Sequence, residues 1–235
     1  MSDNVTTTTT TTTSTSTTPA PLRRLAGGAL VLAPFLMFGG MLTSPPQADD
    51  SSAAYLSSLA DDYGLSVLSA NLLHYAWVLI ALGVPATLTL LRGRRGRTLT
   101  AVGVALTTFG AIQMSGMLLS DWFTGAMPGA VPLADAVKVF DTVAADPSMV
   151  LWRLTGVVGG VVMLPLLLAG LARAGVVGWW TVPVILVPFI AAAMLPAVVG
   201  AVVALACYAP LMLLGARLVR RTSPDVVQAE ALATA

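Results

Sequence analysis

The chain has 235 residues, of which 56% are hydrophobic and only 10% charged, with a formal net charge of +1 and a mean hydropathy of +0.84. A soluble domain carries about a quarter charged residues, so this composition excludes an ordinary water-soluble fold and points to an integral membrane protein whose first partner is the lipid bilayer. The single cysteine, Cys207, excludes an intramolecular disulfide and a cysteine-held metal cluster, and no basic run joins aromatic residues in a soluble segment, which leaves nucleic acid without support as a partner.

Residues 1–22 form a Thr/Ser-rich stretch with no apolar period, expected to be a disordered tail. Arg23 and Arg24 precede an apolar run over residues 25–42 that contains Pro34. The run is long enough to span hydrocarbon and exceeds the roughly 7–15 residues of a signal-peptide core, so it reads as an uncleaved first helix. Between residues 44 and 66 stand Asp49, Asp50, Asp61 and Asp62 with no basic residue, and Tyr55, Leu56 and Leu59 mark a short amphipathic surface piece. A second span over residues 67–91 carries His74, Tyr75, Trp77 and Pro85. It ends on Arg92-Gly-Arg-Arg-Gly-Arg97, the strongest orientation signal in the chain, because short basic loops stay cytoplasmic.

The third span, residues 98–120, is apolar except at its far end. There Gln113, Met117, Ser120 and Asp121 recur at i, i+4, i+7 and i+8, which is one helical face. A face of that kind is expensive to present to lipid, so it must look at protein or water. Residues 123–148 begin with a Pro/Gly-rich turn. They continue into an amphipathic surface helix with Leu133, Val137, Phe140 and Val143 on one face and Asp135, Lys138 and Asp141 on another. Pro132 suits its first turn, and Asp146-Pro147 ends it.

The fourth span, residues 149–171, has Arg153 near its start and then Gly156, Gly159 and Gly160, which read as helix packing rather than a nucleotide loop. From residue 179 to 218 the chain is apolar for 40 residues. One helix of that length would be about 60 Å long against a hydrocarbon core of about 30 Å, so two spans, 179–195 and 199–218, with a turn near residues 196–200 fit better.

The expected architecture is therefore all-α: a polytopic bundle of six transmembrane helices over residues 23–221, with a short amphipathic surface helix in the 123–148 outer loop and a short cytoplasmic tail at 222–235. Six spans with both termini cytoplasmic put ten of the twelve basic residues inside and eight of the eleven acids outside. A five-span chain would carry Arg217, Arg220 and Arg221 outside, against the positive-inside rule. The expected location is the cell (plasma) membrane, and oligomeric state is left open.

With that orientation His74, Gln113, Ser120, Asp121 and Arg153 fall in the outer half of the membrane and form the candidate ligand-binding group. An Arg with an Asp can bind an anion or tie two helices together, and a His near an Asp can move a proton near neutral pH. Three readings follow: a pocket that binds or passes a small hydrophobic or amphiphilic ligand, an enzyme acting on a lipid or isoprenoid-like substrate, or a structural or accessory subunit. The same group also admits a purely structural role, an Asp121 to Arg153 ion pair with His74 and Gln113 bonded to neighbours. No GxxxxGK[ST], HExxH or DDxxD motif and no second intramembrane histidine is present, so no cofactor and no metal is expected.

Overall fold

A computed structural model of the chain describes residues 19–220, and all regular structure within them is helical. The tails expected at 1–22 and 222–235 lie outside the described residues, except that the first helix already begins at Ala20. In chain order the helices are α1 (Ala20–Thr43), α2 (Ser52–Asp61), α3 (Tyr63–Gly83, prolonged by a 3-10 segment Val84–Leu90), α4 (Arg97–Leu119), α5 (Asp121–Ala130) and α6 (Leu133–Ala144). They continue with α7 (Pro147–Val157), a π-helical segment Val158–Val162, α8 (Met163–Arg173), α9 (Thr181–Val184), α10 (Val187–Met194), α11 (Ala197–Cys207) and α12 (Ala209–Arg220).

Five stretches are long and apolar enough to cross a membrane: Ala20–Thr43, Tyr63–Leu90, Arg97–Ala130, Pro147–Arg173 and Ala197–Arg220. The stretch expected to span at 179–195 is instead the shorter helical pair Thr181–Met194. At 14 residues it reaches about 21 Å, short of the roughly 30 Å hydrocarbon core. Prolines set this length: Pro183 and Pro188 interrupt the helical ladder, and Pro196 follows the extended Leu195 that ends α10. The chain then doubles back, with Gly200 of α11 packed against the Ala191 carbonyl of α10.

A second difference lies at residues 123–130, expected as a turn. They belong to α5, because the ladder resumes directly after the third long helix: Phe123 and Thr124 donate backbone hydrogen bonds to the Ser120 carbonyl at 3.0 and 3.1 Å. Pro128 sits inside α5, where its missing N–H costs the ladder one bond. A helix does form at Leu133–Ala144, following Pro132.

Side-chain chemistry explains the helix starts. Ser51 caps α2 by accepting from the Ala54 amide at 3.1 Å, Asp62 caps α3 through the Leu65 amide at 3.0 Å, and Asp146 caps α7 through the Ser148 amide at 2.8 Å. The core runs along α1, α3, α4, α8 and α12, with Leu30, Ile80, Leu164, Leu167, Leu171, Leu211 and Leu214 fully buried. At its centre Trp77 stacks on Phe189 at 6.5 Å, and Phe189 meets Tyr208 edge-on at 6.4 Å.

The glycines read as packing residues do pack. A Cβ on Gly110 would lie 2.2 Å from the Gly159 backbone, so α4 and the π-helical segment touch main chain to main chain. Gly156 faces Gln113 and Met117, and Gly160 faces Met114 and Trp77. At the other end of the same helix pair Gly96 takes φ +73° and lies so close to α8 that a Cβ would come within 2.3 Å of the Gly170 carbonyl oxygen.

These contacts divide the molecule into two ends. Arg94, Arg95, Arg97 and Arg173 border one groove, and Arg92, Arg217 and Arg220 border another beside it. Gly27, just after Arg23 and Arg24, packs on the Gly215 carbonyl near the end of α12. This is the basic end. The helices α2, α5 and α6 gather at the opposite end with Asp50, Asp121 and Asp141.

Candidate functional site

At that opposite end, α2, α5, α6 and the start of α7 enclose a cavity of about 580 Å³. Its walls are mostly apolar: Met117 and Met127 from the third long helix, Phe123 beside them, Val139, Phe140 and Val143 from α6, and Met149 and Trp152 from α7. Its polar groups are Asp121, Ser120 and Thr124 at the α4–α5 junction, Tyr55 and Ser52 from α2, Gln47, Asp50 and Ser51 from the stretch before α2, and Arg153 from α7. Polar groups set in a mainly apolar wall suit a small organic ligand.

Asp121 starts α5, and α2 packs against α5 so that the Asp121 carboxylate meets α2. There the Tyr55 hydroxyl donates to Asp121 Oδ1 in a short hydrogen bond. Burial, reinforced by the charge of the Asp121 carboxylate and by this hydrogen bond, raises the Tyr55 hydroxyl well above its ordinary value. Tyr55 therefore stays protonated and holds the carboxylate in place. Its ring also lies 5.5 Å from that of Phe140. Next to it Ser52 Oγ donates to Asp141 Oδ1 at 2.6 Å, so α2 grips both the deepest polar group of the cavity and the surface helix that covers it. The grip is mainly polar and aromatic, since Ala136 is the one fully buried residue of α6.

Of the five residues expected to converge, the structure brings Ser120, Asp121 and Arg153 to this cavity. His74 and Gln113 do not line it. His74 Nδ1 donates to the Ser115 carbonyl oxygen of α4 at 2.9 Å, and its ring meets Tyr75 edge-on at 4.9 Å. Because a carbonyl oxygen can only accept, Nδ1 is the donor in this tie between α3 and α4. Gln113 Nε2 reaches Thr155 Oγ1 at 3.4 Å and joins α4 to α7. The expected ion pair is absent as well: among the described residues no contact within salt-bridge distance joins Asp121 to Arg153, and the Arg153 side chain is exposed. A pairing argued from depth alone misses α2, which packs on α5 and puts the Tyr55 hydroxyl against Asp121.

Residues that the sequence did not place in the candidate group complete the site. Tyr55, Phe140 and Trp152 contribute most of its aromatic wall and, in Tyr55, its main hydrogen bond. The signal present in the sequence was the pairing of an amphipathic 44–66 segment with an amphipathic 133–143 segment on the same side of the bundle. Two such pieces at one end must bury their apolar faces on each other or on the bundle. Among the described residues no group of three or more His, Cys, Asp or Glu side chains is placed to hold a metal ion. No protein family, no curated protein and no solved structure matches the chain.

Proposed function

We propose that this chain is a six-span protein of the cell membrane, with both termini cytoplasmic, that binds or passes a small hydrophobic or amphiphilic ligand in the outer-end cavity. The observation that carries the reading is the composition of that cavity: about 580 Å³ of space walled largely by methionine, valine and aromatic side chains, with Asp50, Asp121, Tyr55 and Arg153 among its polar groups. An amphiphile placed there sets its apolar body against Met127, Phe140 and Trp152 and its polar end between Asp121 and Arg153. Methionine walls adapt to several ligand shapes, which favours passage or broad binding over a tightly fitted substrate.

The count of six rests on the return of the chain. Arg173, at the end of α8, and Arg220, at the end of α12, both border grooves at the basic end, so residues 174–220 go out and come back. The outward leg is Thr181–Met194, and a stretch of that length crosses where the bilayer thins around it. The basic end is assigned to the cytoplasm because short positive segments are retained there. An acid–base reading has less behind it, since His74 does not share the cavity with Asp121.

Native mass spectrometry on the full-length protein tests the ligand, with Asp121→Asn and Phe140→Ala as variants. The expected result is a retained amphiphile that both substitutions deplete. Wild-type protein that carries none, or retention indifferent to both substitutions, overturns the reading. Cysteine-accessibility labelling in a Cys207→Ala background tests the topology. A cysteine at Pro196 is expected to label from outside intact cells and one at Arg94 only after permeabilisation; the reverse pattern overturns the orientation.

A further inference from the structure

We infer that the polar end of the ligand held in the outer-end cavity is an organic ammonium, a cationic nitrogen seated between the Asp121 carboxylate and the aromatic wall. This rests on the cavity reading above and adds the head group to it. Asp121 Oδ1 accepts from the Tyr55 hydroxyl, and Oδ2 receives no hydrogen bond from any described residue. The carboxylate is partly buried and lines the cavity, so a donor or cation brought by the ligand stabilises the open oxygen.

Charge favours a cation. Asp50 and Asp121 line the cavity against one base, Arg153. Arg153 is exposed, where water and salt screen it, whereas the partly buried Asp121 carries its field further into the apolar space. Asp141 adds a third carboxylate, bonded to Ser52 of the cavity wall. Outside the described residues the sequence has one basic side chain, Arg221, which directly follows Arg220 of the basic end and so stands away from these carboxylates.

The walls suit the same head. Tyr55 and Phe140 have their ring centres 5.5 Å apart and their planes at 51°, so two aromatic rings meet at one corner of the cavity. Trp152 adds an indole seated on Gly116, where an added Cβ would lie 2.8 Å from Cζ2. An aromatic face attracts an ammonium through its quadrupole, and an indole does so best. A small hydrated cation makes no use of such walls, while the alkyl part of an amphiphile buries itself against Met117, Met127 and Val139. An anionic head would meet repulsion from the carboxylates and from the ring faces together.

The test is native mass spectrometry on the full-length protein in a neutral maltoside detergent, titrated with three probes of one tail length: dodecyltrimethylammonium, dodecylphosphocholine and dodecyl phosphate. Wild type is expected to bind the ammonium about tenfold tighter than the phosphate. Asp121→Asn is expected to weaken the ammonium about tenfold and Phe140→Leu, which keeps apolar contact but removes the ring, about threefold. If Asp121→Asn does not fold, Asp50→Asn at an exposed position carries the charge test; a loss of about twofold is expected, and no loss overturns the ammonium. Dodecylphosphocholine keeps the cationic nitrogen, so it is expected to share the Asp121 dependence. The tighter of the two names the source, a free ammonium amphiphile or a lipid headgroup. Dodecyl phosphate binding as tightly as the ammonium overturns the head group and leaves the cavity reading standing. Saturable binding of none of the three overturns the cavity reading itself.

Discussion

Tyr55 of α2 donates its hydroxyl hydrogen to the carboxylate of Asp121, at the first residue of α5, across 66 positions of sequence. The bond ties α2 to the start of α5, within the third long helical stretch. Removing the hydroxyl in Tyr55→Phe leaves the partly buried carboxylate without its donor, at a cost of about 1–3 kcal/mol. Chemical or thermal denaturation of the purified protein checks this. A double-mutant cycle with Asp121→Asn is expected to show coupling between the two positions, and strictly additive losses would contradict the bond.

The same pair gives a pH dependence with a defined sign. The ordinary tyrosine value is 10.0, and in the folded chain Tyr55 lies above it because of burial and the Asp121 carboxylate. Below pH 10 both folded and unfolded chains keep the proton, and the Tyr55 contribution is whole. Above it the unfolded chain releases a proton that the folded chain retains, so stability falls as pH rises. Denaturation of the wild type followed from pH 8 to 11 is expected to show a steeper alkaline decline than Tyr55→Phe. Parallel curves for the two proteins would contradict the assignment.

Main-chain contact between α4 and the π-helical segment leaves no room for a methyl group. An added Cβ at Gly110 meets the Gly159 carbonyl carbon at 2.2 Å, and one at Gly159 meets Gly110 Cα at 2.5 Å. Backbone on both sides cannot step aside as a flexible side chain would. Gly110→Ala and Gly159→Ala are each expected to cost about 1–3 kcal/mol or more by overpacking. Gly28, with nothing within 4 Å of an added Cβ, is the control, and Gly28→Ala is expected to be neutral or slightly stabilising. Thermal melts of the three variants decide the matter.

How far the sequence reaches can be seen at these same positions. Helix type, the close packing of Gly156, Gly159 and Gly160 and the amphipathic helix after Pro132 all follow from periodicity, because those signals are local and repeat along one segment. The site depends on something else, which short helix packs on which. Asp121 continues the polar face of Gln113 and Met117, yet its partner is Tyr55, brought to it by α2, 66 positions away in sequence. Residues 123–130 contain Gly125, Pro128 and Gly129 and so read as a turn, but the burial of Thr124 and the packing of Gly125 on Leu59 hold them helical. In the same way the apolar run after residue 178 reads as a full span until Pro183, Pro188 and Pro196 are seen to break it into short helices. Tertiary contacts decide the first two cases, and prolines the third.

The surface helix α6 is the part of the cavity wall most easily freed. It buries only Ala136 completely, and it is held by the Ser52 to Asp141 hydrogen bond of 2.6 Å and the Tyr55 to Phe140 ring contact. Loss of one such hydrogen bond is worth about 0.5–1.5 kcal/mol. Hydrogen exchange in Ser52→Ala is therefore expected to accelerate at the α6 amides by about three- to tenfold, with amides of the buried bundle unchanged. Uniform acceleration across the bundle would mean that Ser52 supports the whole fold and not this helix.

His74 and Asp121 separate the ligand reading from an acid–base one. His74 spends its Nδ1 proton on the Ser115 carbonyl, which stands on α4 at 2.9 Å, so its role is to hold α3 against α4. A His74→Gln substitution keeps a donor of similar reach, whereas His74→Ala leaves the carbonyl unbonded at a cost of about 1–3 kcal/mol. Asp121 lines the cavity, and its replacement by Asn removes charge from the place proposed for the ligand's polar end. His74→Ala is thus expected to lower the unfolding midpoint and leave ligand retention intact, while Asp121→Asn is expected to deplete the ligand more than it lowers the midpoint. Should His74→Gln, with its stability kept, abolish ligand turnover or retention, the imidazole itself would be needed at the site, and the structural role drawn from the Ser115 contact would be wrong.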